Sequence, residues 1–287
     1  MIVVSGLAVG GVYTLVAYAI NIVYLSTRVM NFAQGELVML GAMIGLSLLV
    51  EWSWSFWLMM PATVVAVAIT AVLIEKVAVA PARNNLAGLG WLLSTLGAGI
   101  VISNLAQMRW GTSTSRFPSL ISDRAIGVLG VRVIPQELLV LGVSFVIMIL
   151  FEVFRTRTLM GKAVQAIAYN RRSAQLSGIP TDRMVTVTFV ISGVLSAVAG
   201  VLVAPITFAS PTMGFAISLK GFFSAIVGGL GNFRGAMLSG LLIGLVEALS
   251  AWFIAPSARN IASYLVLVLI LIWRPQGLVG HAPVSRA

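Results

Sequence analysis

No cysteine occurs in this chain, which excludes disulfides, thiolate metal sites and cysteine nucleophiles. The single histidine, His281, lies near the C-terminus; it reads as a solvated tail residue, and histidine-rich metal sites are excluded as well. Charge is scarce. Asp, Glu, Lys and Arg make up 9% of the residues, whereas a soluble domain carries about 25%, so this sequence cannot build an aqueous surface. No G-x-x-x-x-G-K-[ST] phosphate loop is present, because Gly161-Lys162-Ala163 lacks the upstream glycine and the hydroxyl residue. G-x-S-x-G, H-E-x-x-H and paired catalytic carboxylates are absent too. ATP hydrolysis by the phosphate-loop route is therefore excluded, and nothing nominates an enzyme. The first 27 residues lack the basic region and small-residue cleavage site of a secretory signal, and they read as a retained first span.

What fills the chain is apolar, at 59% of residues. Residues 1–27, 52–74, 84–108 and 184–219 contain no ionised side chain. A span needs about 20 apolar residues. The runs predict an all-α, polytopic transmembrane helical bundle of eight or nine spans, near 2–27, 36–50, 56–74, 86–108, 137–151, 184–203, 235–253 and 261–273. Pro205 is expected to stop the sixth, and Glu75-Lys76 the third. The segment 206–234 reads as broken or re-entrant, since Pro211, Gly214 and Lys220 argue against a plain span. Trp52, Trp54 and Trp57 mark an interface. The connection from Arg109 to Pro135 is polar and turn-rich. No segment outside the spans is long enough to fold alone, so residues 1–287 form one membrane domain.

The net charge of +10 follows the positive-inside bias rather than a nucleic-acid surface. The island from Arg155 to Arg183 holds six of the 18 basic residues. Placing it in the cytoplasm puts 12 positives inside and five outside, with Lys220 unassigned. The N-terminus is then external and the C-terminus internal. Gly6/Gly10, Gly41/Gly45, Gly231/Gly235 and Gly240/Gly244 repeat at spacing four, which lets backbones approach on one helix face. Packing inside the chain or a dimer interface would each use them.

Three sets of residues could carry chemistry. Within the island, Leu159 to Ser177 is expected to form one amphipathic helix with Leu159, Ala163, Ile167, Val164 and Ala168 on its apolar stripe, ended by Gly178 and Pro180. Such a helix either rests on lipid headgroups or docks a cytosolic protein, and its residues leave both open. The second set is the charges within apolar sequence, Glu36, Lys220 and Glu247. Such charges are expensive and often functional. Glu36 also suits a helix N-terminus, and Glu247 suits pairing with Lys220 as well as lining a path. The third set is neutral: Asn21, Asn31, Gln34, Ser94, Thr95, Asn104, Gln107, Ser192 and Ser196. They can bond a solute, or one another across helices.

Several stretches resemble one family. "NFAQGELVMLGA" (Asn31 to Ala42), "GKAVQAIAYNRRSAQLSGIPTDRMVTVTFVISGVLSAVAGVL" (Gly161 to Leu202), "KGFFSAIVGGLGNFRGAMLSGLLIGLVEAL" (Lys220 to Leu249) and "RPQGLVG" (Arg274 to Gly280) are similar to branched-chain amino acid ABC permeases of the LivH type. "STLGAGIVISN" and "FPSL" add shorter similarities between them. The resemblance implies a permease subunit of the bacterial or archaeal plasma (inner) membrane. It pairs with a LivM-like subunit or another copy, is driven by cytosolic ABC ATPases that bind the ATP and Mg, and is fed by a periplasmic or surface solute-binding protein. The chain itself would hold no cofactor and no metal.

The resemblance makes residues 152–183 the ATPase-coupling loop, with Arg155, Arg157, Gly161, Lys162, Ala166, Asn170, Arg171, Arg172 and Gly178 as its residues. Asn31, Gln34, Glu36, Ser94, Thr95, Asn104, Lys220 and Glu247 are candidates for the substrate path. Asn170-Arg171 departs from an acidic pair common in the family, which bears on the ATPase accepted. Relatives also carry urea, short amides and aromatic acids. A secondary transporter or channel would need coupling carboxylates or broken helices in both halves, and only Glu247 and Glu36 offer themselves.

Overall fold

The computed structural model describes residues 2–82, 89–119, 121, 126–128 and 131–279. The expected fourth-span start at Leu86, together with Arg83, Arg124, His281 and Arg286, lies outside them. Helix dominates. We number α1 (Ile2–Thr27), α2 (Gln34–Glu51), α3 (Phe56–Ala82), α4 (Gly90–Trp110) and α5 (Pro135–Arg157). Next come α6 (Leu159–Tyr169), α7 (Arg171–Leu176), α8 (Thr181–Thr207), α9 (Met213–Gly228), α10 (Phe233–Phe253) and α11 (Ala258–Trp273). Among the described residues seven helices are long and apolar enough to cross a membrane, and α9 and α11 are apolar but shorter. Among the described residues the strands form one hairpin, Ile126–Val128 against Val131–Val133, inside the polar 109–135 connection.

Helix ends depart from expectation for physical reasons. Glu75-Lys76 does not stop α3; a wider turn at Glu75–Val79 carries the helix on. Glu75 is buried there because Lys76 pairs with it at 3.0 Å and Thr186 of α8 donates to it at 3.3 Å. Pro205 does not stop α8 either. It sits in the last turn, where a missing N–H costs only one ladder bond, and the helix ends at Thr207. The segment after it passes through a bridge between Ala209 and Ser115 and a turn at Pro211-Thr212, and then becomes the 16-residue α9, which contains Gly214 and Lys220.

The expected helix over Leu159 to Ser177 is two helices. Asn170 breaks it, because its side chain accepts from the Ser173 amide and caps α7. The buried stripe of α6 is Gly161, Val164 and Ile167, while Leu159 is turned out and 86% exposed.

At the centre lie α1, α2 and α8; 78% of the α8 span is buried against 17% of α4. α1 packs along α10 and α8, and α2 and α3 along α8. The paired glycines make this packing close. A Cβ on Gly10 would stand 2.8 Å from the Gly240 carbonyl oxygen, and one on Gly6 would stand 3.0 Å from that of Gly244. Gly41 meets Ala197 of α8 in the same way, at 2.8 Å. The spacing-four glycines therefore serve seams within this chain.

Candidate functional site

The basic island folds back on the bundle through two arginines. Arg28, at the end of α1 with φ +60, donates to the Ala168 carbonyl of α6 at 2.5 Å. Arg171 donates to the Ser26 carbonyl of α1 at 3.3 Å and pairs with Asp182 of α8 at 3.0 Å. α6 itself is seated on the end of α5. Thr158 caps it by accepting from the Gly161 amide at 3.0 Å, and Gln165 donates to the Arg155 carbonyl at 2.7 Å. A Cβ on Gly161 would stand 2.6 Å from the Arg155 carbonyl oxygen, so this position needs glycine for close approach. Arg155 grips Glu152 with two bonds, 2.9 and 2.6 Å, and lies over the Phe233 ring.

The loop's outward face is different. Arg157, Lys162 and Arg172 are exposed, and so are Leu159, Tyr169 and Leu176, each at least 84% exposed. Asn170 and Gly178 are exposed turn residues, Gly178 at φ +81, and Ala166 is half-buried in α6.

The island marks one end of the bundle. Arg28, Lys76, Arg155, Arg171 and Arg234 are tied to it or to the helix ends beside it. Arg109, paired with Glu51 at 3.0 Å, belongs to the opposite end, as do Arg116 and Arg259, which border cavities with the last turn of α8. These described basic residues thus fall at two ends of the bundle.

Path candidates fall into separate groups. Gln34 is fully buried between α2 and α8, donating to Ser196 at 2.5 Å and accepting from Ser192 at 3.0 Å. Asn31 reaches it at 3.4 Å. Lys220 and Glu247 form an ion pair at 2.7 Å, with side chains 15% and 5% exposed. Tyr13 of α1 donates to Glu247 at 2.9 Å and Ser263 of α11 donates to its other oxygen. Lys220 also lies over the Tyr13 ring, 5.4 Å from its centre. Four helices, α1, α9, α10 and α11, are joined at that one carboxylate.

The remaining candidates lie apart from these groups. Glu36 stands in the first turn of α2 against Gly99 of α4 and Gly214 of α9, and its Oε2 is buried without a hydrogen-bond partner. Thr95 bonds the α4 backbone, at 2.9 and 3.2 Å, and Ser94 is half-buried. Asn104 is exposed and bonded to its own helix at 2.7 Å. Sequence reasoning did not single out Arg28, Tyr13, Ser263, Ser5 or Glu137. Tyr13, Ser5 and Ser263 gave no signal in an apolar span, and the two charged residues read as ordinary span ends.

The fold and these surfaces define a multi-pass helical membrane protein with a structured loop presented at one end. Residues 2–272 match the family described as branched-chain amino acid transport system / permease component, and the chain belongs to it. It is 31% identical to the high-affinity branched-chain amino acid transport system permease protein LivH of Salmonella typhimurium, over 98% of this chain and 96% of that one. BraD of Pseudomonas aeruginosa, a permease protein of the same description, is 31% identical over 99% of this chain and 96% of its own. Among solved structures, PsaBC from Streptococcus pneumoniae in complex with Fab superposes with TM-score 0.52 over 95% of this chain and 91% of that one. At 13% identity that likeness shows the fold alone.

Proposed function

We propose that this chain is the permease subunit of an ATP-driven importer that carries branched-chain amino acids handed over by a solute-binding protein. The observation that carries the reading is its match along nearly the whole chain to permeases named for that transport. One permease domain spans the plasma membrane with its N-terminus outside and its C-terminus in the cytoplasm, and residues 152–183 are its coupling loop. The chain performs no catalysis and holds no cofactor; ATP and Mg belong to the cytosolic ATPases. A LivM-like subunit or a second copy completes the path.

The loop divides its labour. Exposed Leu159, Tyr169 and Leu176, rimmed by Arg157, Lys162 and Arg172, supply an apolar anchor with a cationic edge for an ATPase groove. Arg171 and Arg28 face inward and pass the loop's displacement to α1 and α8. Co-expression with candidate ATPases, a partner permease and a binding protein, followed by reconstitution into liposomes, tests the reading. Uptake of leucine that requires both ATP and binding protein is expected. Accumulation against a gradient by this chain alone would overturn it.

A further inference from the structure

Glu137 is the starting point. It stands in the first turn of α5, 8% exposed, and its Oε1 accepts a hydrogen bond of 2.6 Å from Ser5 of α1. Its other oxygen, Oε2, is buried and has no hydrogen-bond partner. A buried carboxylate oxygen left unpaired is costly, so something polar is expected to visit it.

Two cavities meet at this residue. One of about 440 Å³ is bounded by Ser5, Tyr13, Glu137, Lys220, Glu247 and Arg259, among others. A second, of about 450 Å³, is bounded by Arg116 and Phe117. Both share Glu137, Ile206 and Phe208. Phe208 holds φ +64 and ψ 150, a backbone region that is essentially glycine's and that recurs at ligand clamps. The residue is 53% exposed. Ser5, Glu137, Thr207 and Arg259 all lie at helix ends remote from the coupling loop, so the cavities occupy the side from which an importer receives its solute.

Their chemistry is specific. In the first cavity Lys220 and Glu247 satisfy each other, while Glu137 offers an unpaired anionic acceptor and Arg259 a guanidinium. Val9, Ile206, Phe208 and Ala248 make an apolar wall. An acceptor for an ammonium, a fork for a carboxylate and an apolar wall are the three needs of an aliphatic α-amino acid zwitterion. The volume sits within the range of about 300–1,000 Å³ typical of small-molecule sites.

We propose that this cavity is a waypoint for the zwitterion within a single subunit, with Glu137 Oε2 receiving the ammonium, Arg259 the carboxylate, and Phe208 in the wall between the two chambers. This rests on the amino-acid reading of the previous subsection.

The test is saturable binding of radiolabelled leucine to the full chain in lipid nanodiscs. Competitors are isocaproate, which lacks the ammonium, and isopentylamine, which lacks the carboxylate. Leucine is expected to bind and to be displaced poorly by either analogue. Glu137→Gln should weaken leucine at least tenfold and erase its advantage over isocaproate; Arg259→Gln should erase its advantage over isopentylamine. Glu137→Asp should restore part of the binding, which a folding defect would not. The proposal is overturned by no saturable binding at millimolar leucine, by equal affinity in Glu137→Gln, or by equal displacement with isocaproate. Uptake by the assembled transporter is measured in parallel. ATP-driven uptake unchanged by Glu137→Gln sinks the waypoint and leaves the importer standing. No uptake by the assembled wild type sinks the importer, and zwitterion binding by this chain would still support the waypoint.

Discussion

Two buried polar clusters lie within this bundle, and they are built on opposite principles. The Gln34 cluster is neutral: one amide bridges α2 to Ser192 and Ser196 of α8, with Asn31 beside it and no exposure of the glutamine. The Glu247 cluster is charged: it joins α1, α9, α10 and α11 at one carboxylate and borders a cavity. Neutral side chains that satisfy each other need no water or solute, so the first cluster serves as glue between helices. Desolvating an ion pair is costly and is repaid only with good geometry, so a chain that keeps one beside a cavity has a use for its field. The contrast separates residues that one list of polar candidates had placed together.

Breaking the charged cluster should have the largest effect. Lys220→Leu leaves Glu247 buried without its cation and is expected to destabilise the protein by about 3–5 kcal/mol, read as a lowered unfolding temperature in detergent. Removing both charges in Lys220→Leu/Glu247→Leu should recover most of that loss. A double variant no more stable than the single one would show that the pair's value is not its mutual neutralisation.

Next comes the seam that holds both clusters in register. Gly10→Ala places a methyl 2.8 Å from the Gly240 carbonyl oxygen, and overpacking of this kind costs about 1–3 kcal/mol. Unaltered thermal stability would mean that α1 and α10 can part freely. Ser196→Ala, in the neutral cluster, should cost only about 0.6 kcal/mol, the average for hydrogen bonds between membrane helices. A loss as large as that from Lys220→Leu would erase the distinction between the clusters. The smallest stability change is expected outside both. Tyr169→Asp alters an exposed side chain and should shift stability by no more than about 0.5 kcal/mol, while the docking role proposed above for residues 152–183 has ATPase co-purification fall sharply. Normal co-purification would remove Tyr169 from the docking face.

Much of this was legible beforehand because it depends on composition and local order. Uncharged runs located the spans, and the described basic residues named above fall at the ends that alternating spans assign them. Lys220 with Glu247 was readable as a pair, since two opposite charges in apolar sequence have few other ways to be neutralised. Arg171 was not readable. Its place in a basic island suggested an outward contact, but the end of α1 and Asp182 draw it inward, and the facing Ser26 is 145 residues away in sequence. Leu159 was assigned to the apolar stripe with Ile167 and Val164, but it is turned out while they are buried, because helical spacing fixes a face only to within a turn.

By itself the sequence determined that the chain must live in a bilayer, roughly where its helices run and which end carries the basic loop. These follow from hydration and helix geometry, which act over a turn or a span. The tertiary structure alone decided which glycines meet across α1 and α10, which arginines turn inward and which carboxylate oxygen is left unpaired beside a cavity. Those depend on contacts between residues far apart in the chain, made only when the helices pack in one arrangement.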